Sequence, residues 1–155
     1  MIKVKSIMTE DVVTVPRNSS ILEAANLMAP KSLSSLVVVE KNKPIAIISE
    51  NDVIKGIVSK KTKVEDIMSK EFMAISPLTR FSEITKSLRE DKIKRFPVVE
   101  NGKLIGLVTE TDVIEALRDF TRLHQIVQEV ILTVFGLATA FFLFYFSPIG
   151  ASIFG

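Results

Sequence analysis

Apolar residues come along this chain in short runs, some with the period of a strand and some with the period of a helix, and the same order of runs occurs twice. Val12-Val13-Thr14-Val15 is a β-branched stretch that predicts a strand. After a proline and polar residues, Ile21, Leu22, Ala25 and Met28 share one face of a predicted helix, which Ser20 and Glu23 open as a capping box. Leu36-Val37-Val38-Val39 predicts a second strand, Lys41-Asn42 a tight turn, Pro44 to Ile48 a return strand, and Ser49 the start of another helix. The second round repeats this with Met73-Ala74-Ile75, a helix from Phe81 to Glu90 that buries Phe81, Ile84 and Leu88, and the strand Phe96-Pro97-Val98-Val99. Asn101-Gly102 then predicts a hairpin turn, because both central residues of a type I′ turn need positive φ. Leu104 to Val108 is the return strand, and a helix begins at Thr109.

Sliding the chain by 60 positions aligns the two rounds without a gap. Ile7-Met8 falls on Ile67-Met68, Glu23 on Glu83, Val38-Val39-Glu40 on Val98-Val99-Glu100, and Ser49-Glu50-Asn51-Asp52-Val53-Ile54 on Thr109-Glu110-Thr111-Asp112-Val113-Ile114. One register held over this length marks two copies of one supersecondary unit, which bury their apolar faces against each other. The expected architecture is α/β (α+β): tandem β-α-β-β-α repeats at 1–60 and 61–122, joined through a Lys- and Ser-rich linker at 58–63, with an apolar C-terminal segment at 123–155.

That last segment changes the picture. From Val130 to Phe146 the chain is apolar on every side of a helical wheel, and no charged residue follows Glu129. Seventeen residues of helix rise about 26 Å, the short end of what a membrane span requires. Ser147-Pro148 is expected to end the helix, and Tyr145 suits an interfacial anchor. Arg118 and Arg122 precede the segment and no basic residue follows, so the positive-inside rule leaves the repeats on the cytoplasmic side of the cell membrane. A soluble reading stands beside this one, in which the helix from Thr111 runs on and buries Phe135, Phe141, Phe142 and Phe144 against a partner subunit.

Residues 1–124 carry 20 basic and 17 acidic side chains, interspersed, so no basic stripe exists to follow a nucleic acid backbone. There is no Cys and a single His124, which excludes a disulfide framework and a thiolate or imidazole metal site. The same poverty speaks against an enzyme, because no acid/base pair stands beside a nucleophile. The N-terminal residues lack the apolar core of a signal peptide, so a cytoplasmic module is expected.

The repeated signature is an Ile-Met pair, an apolar-Val-Val-Glu strand, a turn, and a strand that ends in Ser/Thr-x-x-Asp. It resembles the CBS-domain pair, or Bateman module, over roughly residues 1–120. The resemblance implies two units packed about a pseudo-twofold axis, with two clefts for adenosine-containing ligands: AMP, ADP, ATP, NAD or S-adenosylmethionine. It also implies a homodimer, and a regulated transporter or enzyme as partner, with no metal required. Thr109 and Asp112, and by register Ser49 and Asp52, are the ribose candidates. A carboxylate held in the first turn of a helix is well placed to accept from both vicinal hydroxyls. The same residues also read simply as helix caps, and the two readings are compatible. Lys94 and Arg95 are the phosphate candidates and are assigned to the second copy's cleft, since their first-copy counterparts are Ser34-Ser35. The resemblance points to Thr14, Val15, Val37, Ala74, Ile75 and Pro97 around the adenine. Neither copy has a G-x-x-x-x-G-K loop, so a bound nucleotide is expected to be sensed rather than hydrolysed. The competing function is a ligand-free structural adaptor whose apolar tail is an interaction helix.

Overall fold

The computed structural model describes residues 2–146, so the expected helix stop at Ser147-Pro148 lies outside the described residues. The chain forms two compact units, Met1–Val113 and Ile114–Gly155.

In the first copy, strands β1 (Thr14–Pro16), β2 (Ser35–Glu40) and β3 (Lys43–Ser49) form one sheet, with helices α1 (Ile21–Met28) and α2 (Glu50–Val58). β1 pairs parallel with β2, and β2 antiparallel with β3. In the second copy, β4 (Arg95–Glu100) and β5 (Lys103–Thr109) pair antiparallel, with α3 (Phe81–Glu90) before them and α4 (Glu110–Tyr145) after. Both hairpins shift register at the same repeat position, Val38/Val39 and Val98/Val99. Both turn through left-handed residues, Lys41 and Asn42 at φ 50° and 63°, Asn101 and Gly102 at 51° and 76°. The Asn-Gly signal and its Lys-Asn counterpart thus make the same turn.

Three expectations change. The first strand begins at Thr14 instead of Val12, because Val12 and Val13 lie in the preceding loop. Its counterpart shrinks to one residue: Ile75 bridges Val98, with hydrogen bonds to Pro97 and Val99. Ala74 there replaces the β-branched Thr14, and the strand preference weakens accordingly. On α1 the buried stripe is Ile21, Ala24 and Met28, with Ala25 beside it, while Leu22 is 68% exposed. Spacings of three, four and seven define the stripe, and Leu22 falls off it.

Each copy builds a core between its sheet and its helices, but the cores exchange their entry segments. Val4, in the 3-10 turn Val4–Ser6, is fully buried among Ile84, Phe96, Val98, Val108 and Val113 of the second copy, with Ile7 and Met8 packed alongside. Val64, Ile67 and Met68 pack into the first copy's core with Val15, Leu36, Val38 and Ile48. The backbone follows: Val4 N–H donates to Thr79 at 2.9 Å, and Val64 N–H to Ser19 at 2.9 Å. The linker between the copies is tied down as well, since Thr62 accepts from Ile21 N–H at 2.8 Å.

Strand alternation sends Leu36, Val38, Phe96 and Val98 toward the helices. Their neighbours Val37 and Pro97 pair with Ile47 and Leu107 and are nonetheless buried. β3 and β5 meet on this second face, so the two copies pack sheet to sheet about a pseudo-twofold axis.

The second unit is the run of α4 from Ile114 onward. It contains an 18-residue window of mean hydropathy 2.0, none of it buried, which meets the length and composition of a membrane span.

Candidate functional site

Two helix starts hold the carboxylates that the repeat places in matching register. Ser49 caps α2: its Oγ accepts from Asp52 N–H at 3.2 Å, while Asp52 Oδ2 accepts from Ser49 N–H at 2.8 Å and from its hydroxyl at 2.6 Å. Thr109 and Asp112 repeat this at α4, with 3.4, 2.7 and 2.8 Å for the same three bonds. The capping reading is therefore realised twice. It uses one oxygen of each carboxylate: among the described residues every bond to Asp52 and Asp112 goes through Oδ2, leaving Oδ1 to accept from another group. Both carboxylates sit in the first helical turn, where the helix dipole favours negative charge.

Each carboxylate lines a cavity of ligand size. The larger, about 550 Å³, is walled by Ile47, Ser49 and Asp52 from the first copy and by Ser69, Glu71, Phe72 and Asp91 to Arg95 from the second. The smaller, about 340 Å³, is walled by Leu107, Thr109, Thr111 and Asp112 from the second copy and by Thr9, Asp11, Val12, Val13 and Ser32 to Ser35 from the first. The linings are counterparts under the shift of 60: Ile47 answers Leu107, Ser69 answers Thr9, Phe72 answers Val12, and Lys94-Arg95 answer Ser34-Ser35.

This crossing corrects the assignment of the basic pair. Lys94 and Arg95 line the cleft of Ser49 and Asp52, and Thr109 and Asp112 share theirs with Ser34 and Ser35. The reason is the sheet-to-sheet packing, which sets the beginning of β4 opposite the end of β3. Two symmetric bridges fix it: Ile47 exchanges backbone bonds with Ser69 at 2.9 and 2.8 Å, and Leu107 with Thr9 at 3.0 and 2.9 Å.

The two clefts differ in charge. Three acidic and three basic residues line the larger one, whereas Asp11 and Asp112 line the smaller with no basic residue. Within the larger cleft, Lys94 Nζ lies 3.0 Å from Glu110 Oε2 and is committed to that ion pair. Arg95 reaches the Ser34 carbonyl at the long distance of 3.4 Å, which leaves most of its guanidinium donors for a ligand.

Of the adenine candidates, Thr14, Val15, Val37, Ala74, Ile75 and Pro97 line neither cleft. Thr14 pairs with Val37 in the sheet, Val15 is core, and Pro97 accepts from Ile75 N–H. The residues just before them, Val12-Val13 and Phe72, form the cleft walls instead. The register pairs Asp11 with Glu71 and Ser32 with Lys92, both of the latter with positive φ, and a residue-by-residue comparison of the copies would have drawn attention to them. Among the described residues no group of three or more Asp, Glu or His gathers as a metal would need.

Comparison with known proteins adds independent weight. An uncharacterized protein of Methanocaldococcus jannaschii is 30% identical over 118 residues, covering 74% of this chain and 42% of that protein. An uncharacterized protein of Methanopyrus kandleri is 31% identical over 121 residues, 74% of this chain and 62% of that one. Inosine-5'-monophosphate dehydrogenase of M. jannaschii is 31% identical over 115 residues, 73% of this chain but 23% of the dehydrogenase. The chain thus spans only part of these relatives, and less than a quarter of the dehydrogenase. Among solved structures, a CBS domain pair in complex with 5'-methylthioadenosine and S-adenosyl-L-methionine superposes with a TM-score of 0.71 at 24% identity, covering 77% of this chain and 98% of that one. CBSX2 in complex with AMP superposes with a TM-score of 0.68 at 25% identity, covering 78% of this chain and 99% of that one. The CBS domain family matches residues 4–59 and again 64–119, which together take in both copies of the repeat. This chain belongs to the CBS domain family, as a tandem pair.

Proposed function

We propose that the pair senses adenosyl ligands and that its two clefts divide them by charge. A phosphorylated nucleotide, AMP, ADP or ATP, occupies the larger cleft. Asp52 Oδ1 accepts from the ribose hydroxyls there, Arg95 and Lys92 face the phosphate, and Phe72 offers its ring to the adenine. A nucleoside without phosphate, or one carrying the positive sulfonium of S-adenosylmethionine, suits the smaller cleft. Asp112 beside Thr109 takes the ribose there, and Val12 and Val13 flank the base. NAD, with two phosphates, belongs with the first class.

One observation carries this reading: Asp52 and Arg95, from different copies, line one cavity of about 550 Å³. The solved pairs that hold AMP, S-adenosyl-L-methionine and 5'-methylthioadenosine support it. Because each cleft is walled by both copies, a ligand that binds one packing of the copies better than another shifts the population toward it. A homodimer passes that bias to a regulated transporter or enzyme, and α4 holds the module on the cytoplasmic face of the cell membrane through residues 130–146.

Titration calorimetry of the full chain in detergent with AMP, ATP, adenosine and S-adenosylmethionine tests the ligand. Saturable binding of AMP that weakens in Asp52→Ala is the expected result. No heat and no thermal shift with any of the four leaves the ligand-free adaptor as the function. The anchor is tested separately: the chain stays with the membrane pellet after carbonate washing, and release into the supernatant rejects it.

A further inference from the structure

The outer run of α4 carries a second pattern that the clefts do not use. Between Ile114 and Glu129 the helix is long, exposed and two-faced. Ala116, Phe120, Leu123, Val127 and Val130 follow one another at alternating steps of four and three, which is the spacing of d and a positions in a heptad. Leu123, Val127 and Val130 are 60%, 46% and 57% exposed, and Leu117 and Ile126 flank them. The opposite face is polar, with Arg118 and Gln125 at its middle and Glu115, Thr121, Arg122, Gln128 and Glu129 around it. Beyond Val130 the helix is apolar on every side, so the seam is defined by the stretch from Ala116 to Val130.

We infer that this helix pairs with the same helix of a second copy as a parallel, in-register coiled coil. A seam of alternating three- and four-residue steps with a polar opposite face is the surface that a second helix covers in knobs-into-holes packing. One flanking pair favours a second copy in parallel orientation. Asp119 takes a g position and His124 the e position five residues on, and in a parallel pair these meet across the seam. The carboxylate then accepts from a ring N–H, which imidazole offers in either charge state. The match recurs on the other side by symmetry, as a twofold pair requires. The parallel orientation also rests on the proposed anchor, since two copies inserted the same way present their helices side by side.

The chain has no cysteine, so single thiols report on the seam without background. Full-length chain in detergent is oxidised with Ala116→Cys, Leu123→Cys or Val130→Cys at d, and with Arg118→Cys or Gln125→Cys on the outer face. The three d variants are expected to form disulfide-linked dimers at least about tenfold faster than the outer-face variants, because facing thiols have an effective concentration in the millimolar range. Linking at Leu123 with none at Ala116 and Val130 would mean an antiparallel pair and overturns the proposal. Equal rates at all five positions, or none at any, overturn it too. If carbonate washing releases the chain but the d-position pattern persists, the coil stands and the anchor falls.

Discussion

The guanidinium of Arg95 donates to the carbonyl oxygen of Ser34 at 3.4 Å, across 61 positions of sequence. Arg95 lies in the wall of the larger cleft and Ser34 in that of the smaller, so the two clefts share a partition. The same carbonyl accepts from Glu50 N–H at 3.1 Å, at the start of α2, and Lys94 does likewise for Glu110 at 2.9 Å. A phosphate that draws Arg95 away therefore loosens a bond between the copies, next to the helix that carries Asp52.

Arg95→Ala is expected to weaken AMP binding about tenfold to a hundredfold, the loss of a charge-assisted hydrogen bond of about 1.5–3 kcal/mol. Adenosine binding in the cleft of Thr109 and Asp112 stays unchanged. Calorimetry with both ligands decides the matter, and an equal loss for both would make Arg95 a structural residue.

Asp52→Ala and Asp112→Ala each remove a capping carboxylate and are expected to cost about 1 kcal/mol of stability. Asn at either position keeps an acceptor for the backbone N–H of Ser49 or Thr109 and costs less. Urea unfolding measures the difference. If Asn restores stability without restoring nucleotide affinity, capping and ligand binding are separate uses of one side chain.

Val4 lies in the core of the second copy. Val4→Ala is expected to destabilise by about 2 kcal/mol through lost burial and the void left behind. A double-mutant cycle with Ile84→Val is expected to show coupling of about 0.5 kcal/mol or more, whereas Val4→Ala with Val15→Ala is additive within about 0.5 kcal/mol. The reverse pattern would place the N-terminal segment on its own copy.

Gly106 faces Met8 and Thr9: a Cβ there would sit 2.7 Å from Met8 Sδ and 3.2 Å from the Thr9 carbonyl oxygen. Gly106→Val is expected to cost about 1–3 kcal/mol by overpacking. Met8→Ala in the same chain recovers part of it, because the side chain can yield where the backbone cannot. Thermal unfolding of the single and double variants beside the parent tests this, and a Gly106→Val chain as stable as the parent would refute the close approach.

Sequence by itself determined most of the elements and their order, the short strand expected at Met73-Ala74-Ile75 excepted. The period-two runs, the capping boxes at Ser20, Ser49 and Thr109, and the Asn101-Gly102 turn are local, so the residues that specify them are neighbours in the chain. The helices at 21–28 and 81–90 match expectation to the residue. The repeat was also legible, because a duplicated unit leaves its register in the letters. Which copy supplies which wall of a cleft was decided only by tertiary packing. Val37 and Pro97 look like any core residues from their hydrophobicity, and strand alternation alone cannot say that their face meets the other copy. Once β3 and β5 pack together, Arg95 is carried to Asp52, Ser34 to Asp112, and Val4 into the core of the second repeat. Those are contacts between residues tens of positions apart, and no local pattern encodes them.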